Sequence, residues 1–382
     1  VAAYYLARQG IDVVVVEAAR NCAPDLRAST FHPPTLEMLD TLEITSELID
    51  RGLKAPVYHW RERQSGEYFA FDLSELSDLT PYPYRVQCEQ YHLARLLSER
   101  LEAHPKADML FNHRVIGLSQ DADGATVTVE TLTDIQQIRA DYVIGADGGN
   151  SSVRKLLGID LEGFTYPEKF LCLTTTEPLD AHLPDLSLVN YVSDEEEWLV
   201  LLRVPSMWRV LVPADPSADD EWLVSDEKKE ALFGRLIGKP DVETKHRTIY
   251  RVHQRVARSF REGRAAIIGD AAHLNNPLGG FGMNSGIHDA FNLCEKLVEI
   301  IKNGVPAEPL LDSFAEERRR ITREFVQSQT IQNMEYLKMG GQEHEVRKEA
   351  MRKLVADPVA RRRYLMRQAM IEDRHVIAEI AA

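Results

Sequence analysis

Two stretches of the chain place a carboxylate beside glycines at the end of an apolar run. Residues 265–286 read AAIIGDAAHLNNPLGGFGMNSG. The apolar run ends in Gly269-Asp270, two alanines follow, and a loop then carries Gly279, Gly280 and Gly282. A helical pattern starts at once, with Ile287, Ala290, Phe291, Leu293 and Leu297 on one face. A carboxylate at a strand end can accept hydrogen bonds from hydroxyls. Small Ala271 and Ala272 let a ligand approach the backbone. The helix start near Met283 and Asn284 offers unpaired N–H groups and the positive end of a dipole. Together they suit a ligand with hydroxyls and developing negative charge. Residues 139–158, RADYVIGADGGNSSVRKLLG, repeat the theme. A strand over 142–146 breaks at Asp147-Gly148 and a helix begins near Ser151. Arg154 can pair with Asp147 and pin the turn, or face a phosphate; the pairing is the favoured reading.

The elements around these turns read as a nucleotide-binding unit. Ala3, Leu6 and Ala7 form a helical face stopped by Gly10. Ile11 to Glu17 then reads as a strand buried on both faces and ending in an acid able to bind a ribose hydroxyl. The glycine fingerprint of such a unit belongs about 20 residues before the acid. The expectation is therefore an N-terminally incomplete chain, with that loop upstream of Val1.

These blocks resemble the FAD-dependent aromatic hydroxylases, the 4-hydroxybenzoate hydroxylase-like flavoprotein monooxygenases. Gly-Asp-Ala-Ala-His with Pro277 and its glycine loop resembles their ribityl-binding motif, and Asp-Gly-x-x-Ser-x-x-Arg their second signature. The resemblance implies FAD contacts at Glu17, Arg27, Gln90, Asp147, Gly148, Arg154, Gly269, Asp270, Pro277, Gly280, Gly282, Met283 and Asn284. It places Pro277 beside the reacting edge of the flavin; Asn276 stands where the family usually has a second proline. His273 is read as packing under the loop. The substrate should lie between flavin and an inserted sheet, with candidates Tyr191, Arg203, Arg209 and His253. Pro277, Arg203 and His253 are the catalytic candidates, and no proton relay can be named.

The implied activity is a monooxygenase reaction. NADH or NADPH reduces FAD, dioxygen adds, and the flavin hydroperoxide gives one oxygen to a phenol or other electron-rich ring. A quinone-ring hydroxylase and an isoprenoid reductase of the same superfamily remain open, as does a non-catalytic partial chain. A flavin halogenase should carry Trp-x-Trp-x-Ile-Pro, which Trp198 and Trp208 do not form.

The expected fold is α/β: a Rossmann-like FAD-binding domain with an inserted, mainly antiparallel substrate sheet and a helical C-terminus. The FAD-binding domain is assigned 1–56, 86–163 and 254–309, the substrate domain 57–85 and 164–253, and the helical region 310–382. Short strands are expected at 171–176, 198–204, 208–212 and 248–253, with a helix near 226–237.

Net charge is −15, which argues against nucleic acid as a partner. Residues 310–382 hold 14 Lys+Arg and 12 Asp+Glu, read as a solvated helical face and not a membrane patch. Cys22, Cys88, Cys172 and Cys294 are scattered, so neither disulfide nor metal site is expected. No apolar run reaches the roughly 18 residues that span a bilayer. Partners are a small aromatic substrate and dioxygen, with a possible homodimer, in the cytoplasm.

Overall fold

Valine-rich β1 (Val13–Glu17) follows helix α1 (Ala2–Arg8) and pairs in parallel with β7 (Ala107–Phe111). The structure, a computed structural model, describes residues 1–22, 26, 28–194, 197–338 and 342–371. It is a mixed α/β fold with one large sheet and a helical C-terminal region. β11 (Val143–Gly145) pairs in parallel with β18 (Ala265–Ile267), which is flanked by β17 (Arg261–Glu262). A meander of β8 (Arg114–Asp121), β9 (Gly124–Glu130) and β10 (Ile135–Ala140) lies outside these pairs. β2 (Thr30–Phe31), β6 (Arg85–Gln87) and β3 (Leu53–Ala55) make a small antiparallel sheet.

The large sheet has eight strands. They are β4 (Val57–Glu62), β5 (Tyr68–Asp72), β12 (Leu161–Thr175), β13 (Val189–Ser193), β14 (Leu199–Val204), β15 (Met207–Ala214), β16 (Thr244–Ala257) and β19 (His273–Leu274), in the order β19-β16-β12-β15-β14-β13-β4-β5. All pair antiparallel except β13 with β4. β12 and β16 are long enough to run from this sheet into the nucleotide-binding part. β13 was not foreseen, since the Asn and Tyr in VNYVS blur its alternation.

Two apolar cores hold the nucleotide-binding part. Leu6, Ile267 and Phe260 pack with Leu293 and Leu297 of α9 (Phe281–Asn303) and Phe314 of α10 (Ala307–Ile321). Phe31, Leu36, Leu48 and Leu97 pack α2 (Pro33–Asp40), α3 (Thr45–Arg51) and α4 (Gln90–Glu102) against the small sheet. β1 corrects the expectation of burial on both faces. It is half-buried, with Val14 43% exposed, and among the described residues it pairs with β7 along one edge.

The large sheet has an inner and an outer face. Leu171, Leu173, Val210 and Val212 of the outer face pack on α8 (Asp226–Ile237), beside the short helices α6 (Leu179–His182) and α7 (Asp220–Leu223). Ser225 caps α8, its Oγ accepting from Lys228 N at 3.2 Å, and left-handed Gly238 ends it. The inner face carries Tyr58, Trp60, Phe71, Tyr191 and Val252. Against it lie α11 (Ser328–Lys338), α12 (Gln342–Ala356) and α13 (Pro358–Gln368), through Met334, Met351 and Leu365. The C-terminal helices are thus more than a solvated face. One side covers the sheet, while Arg352, Arg361 and Arg362 pair with Glu67, Glu75 and Asp78 at its rim.

Candidate active site

The loop after β18 is anchored from beneath. Asp289 of α9 is fully buried; its Oδ2 accepts from Gly269 N at 3.0 Å and meets His273 Nε2 at 2.7 Å. Its Oδ1 accepts from Arg318 Nε at 2.6 Å. Burial alone would raise the Asp289 pKa, but His273 and Arg318 outweigh it and hold the carboxyl below its usual range. His273 is buried in this cluster beneath the loop, stacked on Phe260. The glycines allow the close approach: a Cβ on Gly286 would lie 3.0 Å from Gly269 Cα, and Gly279, at φ +102, would drive one into Phe281. Above the anchor, Asp270 is exposed at the end of the loop and Pro277 is exposed beyond it.

The turn after β11 is built differently. Asp147 Oδ1 accepts from Ser151 Oγ, and Oδ2 accepts from Ser152 N at 2.7 Å and Val153 N at 3.0 Å, at the start of α5 (Ser152–Leu156). Arg154 corrects the expected pairing with Asp147. It is buried and donates to the carbonyls of Ala271, at 2.9 Å, and Gly149, at 3.0 Å. Arg154 thereby ties the two turns together, and carbonyl geometry rather than phosphate engages these two arms. Gly148, at φ +78, has open space where a Cβ would stand.

Other candidates fall into place unevenly. Glu17 is exposed at the end of β1, its Oε1 accepting from Ala19 N at 2.7 Å. Gln90 is exposed at the first position of α4, its N–H bonded to Ala28 O at 2.9 Å. Arg27 lies outside the described residues. Gly280 (φ +72), Gly282 and Met283 form the start of α9 and are partly exposed. Asn284 lies at the same helix start, with its side chain turned inward. It is fully buried, accepting from His32 N at 3.0 Å and donating to Thr30 O at 2.8 Å and Gly280 O at 2.6 Å. Asn276 is buried too and joins the loop to β16 and α11, through Gln254 Oε1 and Thr330 O.

The sheet divides the four substrate candidates by face. Tyr191 and Arg209 are on the inner side: Tyr191 stacks on Trp60 at 4.8 Å, and buried Arg209 donates to Ser29 Oγ at 3.1 Å. Arg203 and His253 are on the outer side, which contradicts their catalytic assignment. Arg203 lies over Trp208, an outer-core residue. His253 bonds Thr165 Oγ1 at 2.8 Å, while its neighbour Gln254 is the one that meets the loop. Strand alternation forces this, since adjacent side chains cannot share a face.

Cys88, Glu89 and His92 bring ligand-type atoms within 4.8 Å of one another beside α4. Burial, then Glu89, pushes the Cys88 thiol up to about 12, so it stays protonated and is a poor metal ligand.

The exposed acids at parallel strand ends, the space over Gly148 and the accessible start of α9 fit a dinucleotide bearing sugar and ribityl hydroxyls. Comparison gives the class. The FAD binding domain profile matches residues 1–329. The para-nitrophenol 4-monooxygenase of Pseudomonas sp. strain WBC-3 is 33% identical over 97% of this chain and 93% of that protein. The 6-hydroxy-3-succinoylpyridine 3-monooxygenase of Pseudomonas putida is 31% identical over 87% and 84%. The crystal structure of p-nitrophenol 4-monooxygenase from Pseudomonas putida DLL-E4 superposes with a TM-score of 0.91 at 29% identity, over 97% and 94%. The chain belongs to the FAD-binding domain family of flavoprotein monooxygenases. Within it, the chain is a FAD-dependent aromatic hydroxylase.

Proposed function

We propose that this enzyme hydroxylates a small single-ring phenol or hydroxypyridine at the expense of NADH or NADPH and dioxygen. The carrying observation is that the two relatives it matches over 93% and 84% of their lengths are named for single-ring substrates. One oxygen atom enters the ring and the other leaves as water. FAD, when bound, accepts the hydride and activates dioxygen.

The chain's own residues bind, position and shield. Asp270 and Glu17 accept hydroxyls of the cofactor, with Gln90, Gly148, Gly269 and the Gly280–Asn284 backbone beside it. Asp147 and Arg154 shape the turn, and Arg27 joins the set from the sequence resemblance alone. Pro277 borders the reacting edge. The aromatic inner face and the helices over it exclude water, Trp60 Nε1 bonding Tyr364 Oη at 3.0 Å to close that wall. The division of labour follows: 1–56, 86–163 and 254–309 hold FAD, 57–85 and 164–253 hold substrate, and the region from 310 caps it. Among the described residues no helix is long and apolar enough to cross a membrane. The four free thiols fit a reducing cytoplasm, and a homodimer is the proposed assembly.

The test is NAD(P)H oxidation by the FAD-loaded protein with a panel of single-ring and multi-ring phenols. Fast, oxygen-consuming turnover with hydroxylated product from single-ring phenols is expected. Turnover only with multi-ring substrates overturns the reading.

A further inference from the structure

The loop that carries Pro277 is held at its two ends by different parts of the molecule. Its beginning is anchored by Asp289 of α9, inside the nucleotide-binding part. Its far half, 274–278, is held by uncharged side chains of β16 and the C-terminal helices. Gln254 Oε1 accepts from Asn276 N at 3.1 Å and from Asn276 Nδ2 at 3.4 Å. Asn276 Nδ2 also donates to Thr330 O of α11 at 2.9 Å. Asn333, about one turn further along α11, donates from Nδ2 to Leu278 O at 3.2 Å. Asn276 Oδ1 accepts from Leu278 N at 3.1 Å. Both neighbours of Pro277 are thus pinned, while Pro277 itself is exposed.

The network continues outward. Gln254 Nε2 donates to Thr330 Oγ1 at 2.9 Å and to Gln327 O at 3.3 Å. Gln327 Nε2 donates to Leu274 O at 3.0 Å. Gln327 closes a π-helical turn, Thr322–Gln327, between α10 and α11. Such turns are rare and concentrate at functional sites. From the other side, Gln368 Nε2 of α13 donates to Asn333 Oδ1 at 3.2 Å.

Gln254, Asn276, Gln327, Thr330, Asn333 and Gln368 are all buried, and none carries an ionisable group. Among the described residues, these six leave no buried side-chain nitrogen or oxygen without a partner. Apolar side chains would hold a loop against a helix without desolvating so many polar groups. A satisfied buried network instead fixes one arrangement of the parts it joins, because any other arrangement leaves donors and acceptors unmet. Proline at 276 would have neither the N–H nor the amide, so the link depends on the asparagine.

We propose that Asn276 is a positioning residue, through which the helices over the substrate face set the place of Pro277 at the reacting edge of the flavin. The cap that excludes water and the loop that borders the flavin are one bonded unit. With the link cut, the ring and the reacting edge lose their alignment and water enters. NAD(P)H, dioxygen and a proton then give NAD(P)+ and hydrogen peroxide in place of hydroxylated ring and water. This assignment rests on the reading that sets Pro277 beside that edge.

The test uses the FAD-loaded full-length protein with 4-nitrophenol as the probe. Two quantities are read: the visible spectrum of the bound flavin, and the hydrogen peroxide formed per NAD(P)H oxidised. Asn276→Ala displaces the flavin band, lowers kcat about 10- to 100-fold with a smaller change in KM, and raises the peroxide share severalfold. Gln368→Ala, which acts on the loop through Asn333, raises the peroxide share by less. A raised KM with kcat, spectrum and peroxide share unaltered in Asn276→Ala overturns the assignment. Should that variant fail to fold, Asn333→Ala removes the bond to Leu278 O and decides by the same readings. The spectrum is read without substrate, so it decides even where 4-nitrophenol is not turned over. Pro277→Ala separates the two claims. If it leaves spectrum and peroxide share unaltered, the placement of Pro277 fails and this inference with it. If it alters both while Asn276→Ala and Asn333→Ala alter neither, the inference alone fails.

Discussion

The two strand-to-helix turns look alike in sequence and work oppositely. At the first, the turn's own Asp147 caps α5 through Ser152 N and Val153 N. At the second, Asp289 from the following helix grips Gly269 N and His273, and Asp270 is exposed above. A carboxylate that caps its own helix has little accepting capacity left for a ligand. Where a second carboxylate takes over the structural bonds, the first can face outward. The two turns are tied to each other, since Arg154 of the first donates to Ala271 O of the second.

The largest test of this contrast is Asp289→Ala. It strands Arg318 and His273 in the interior and should remove about 3–5 kcal/mol of stability, read by denaturant unfolding. The sign with pH follows from the depressed pKa. The Asp289 contribution is fully present above its ordinary value of 3.8 and is lost only as pH falls through the lower folded value. The gap between parent and variant should therefore be constant above that value and shrink below it. A gap that grew on acidification would contradict the anchor.

Asp270→Asn should weaken FAD about 10- to 100-fold, measured by flavin fluorescence. Loss of apo stability instead would make Asp270 another anchor and erase the contrast. Asp147→Ala should do the reverse, costing about 1 kcal/mol of apo stability with a smaller effect on FAD affinity. The smallest effect belongs to Arg203→Ala, on the outer face, where kcat/KM should stay within about twofold. A large drop would mean that the outer face reaches the substrate.

The turns were legible because their determinants are local. A glycine at positive φ, an aspartate next to it, and an apolar run before them are all neighbours in sequence. Helix α8 was legible for the same reason, with Ser225 and Gly238 marking its ends. The strand 11–17 was recognised, but its half-exposed state was not, because burial depends on which distant segments pack over each face. The inner and outer residues of β14, β15 and β16 alternate as any strand must. The sequence could not say which of the two sets faced inward, so the outer-side Arg203 and His253 were named together with the inner-side Tyr191 and Arg209. The C-terminal helices hid their role behind a balanced charge, because long ion-paired arginines at the rim mask the apolar side that covers the sheet.

By itself the sequence determined the element types, the two glycine turns and the class of cofactor, since each rests on backbone conformation and spacing along a few residues. Only the tertiary structure decided what those elements enclose. Thr30 and Phe31 are brought opposite Gln87 and Val86 by the register of a two-residue strand against a three-residue one. The buried Thr30–Gln87 pair follows from that register, because hydrogen-bonded pairing and exclusion of water between distant segments leave no mark on either segment alone.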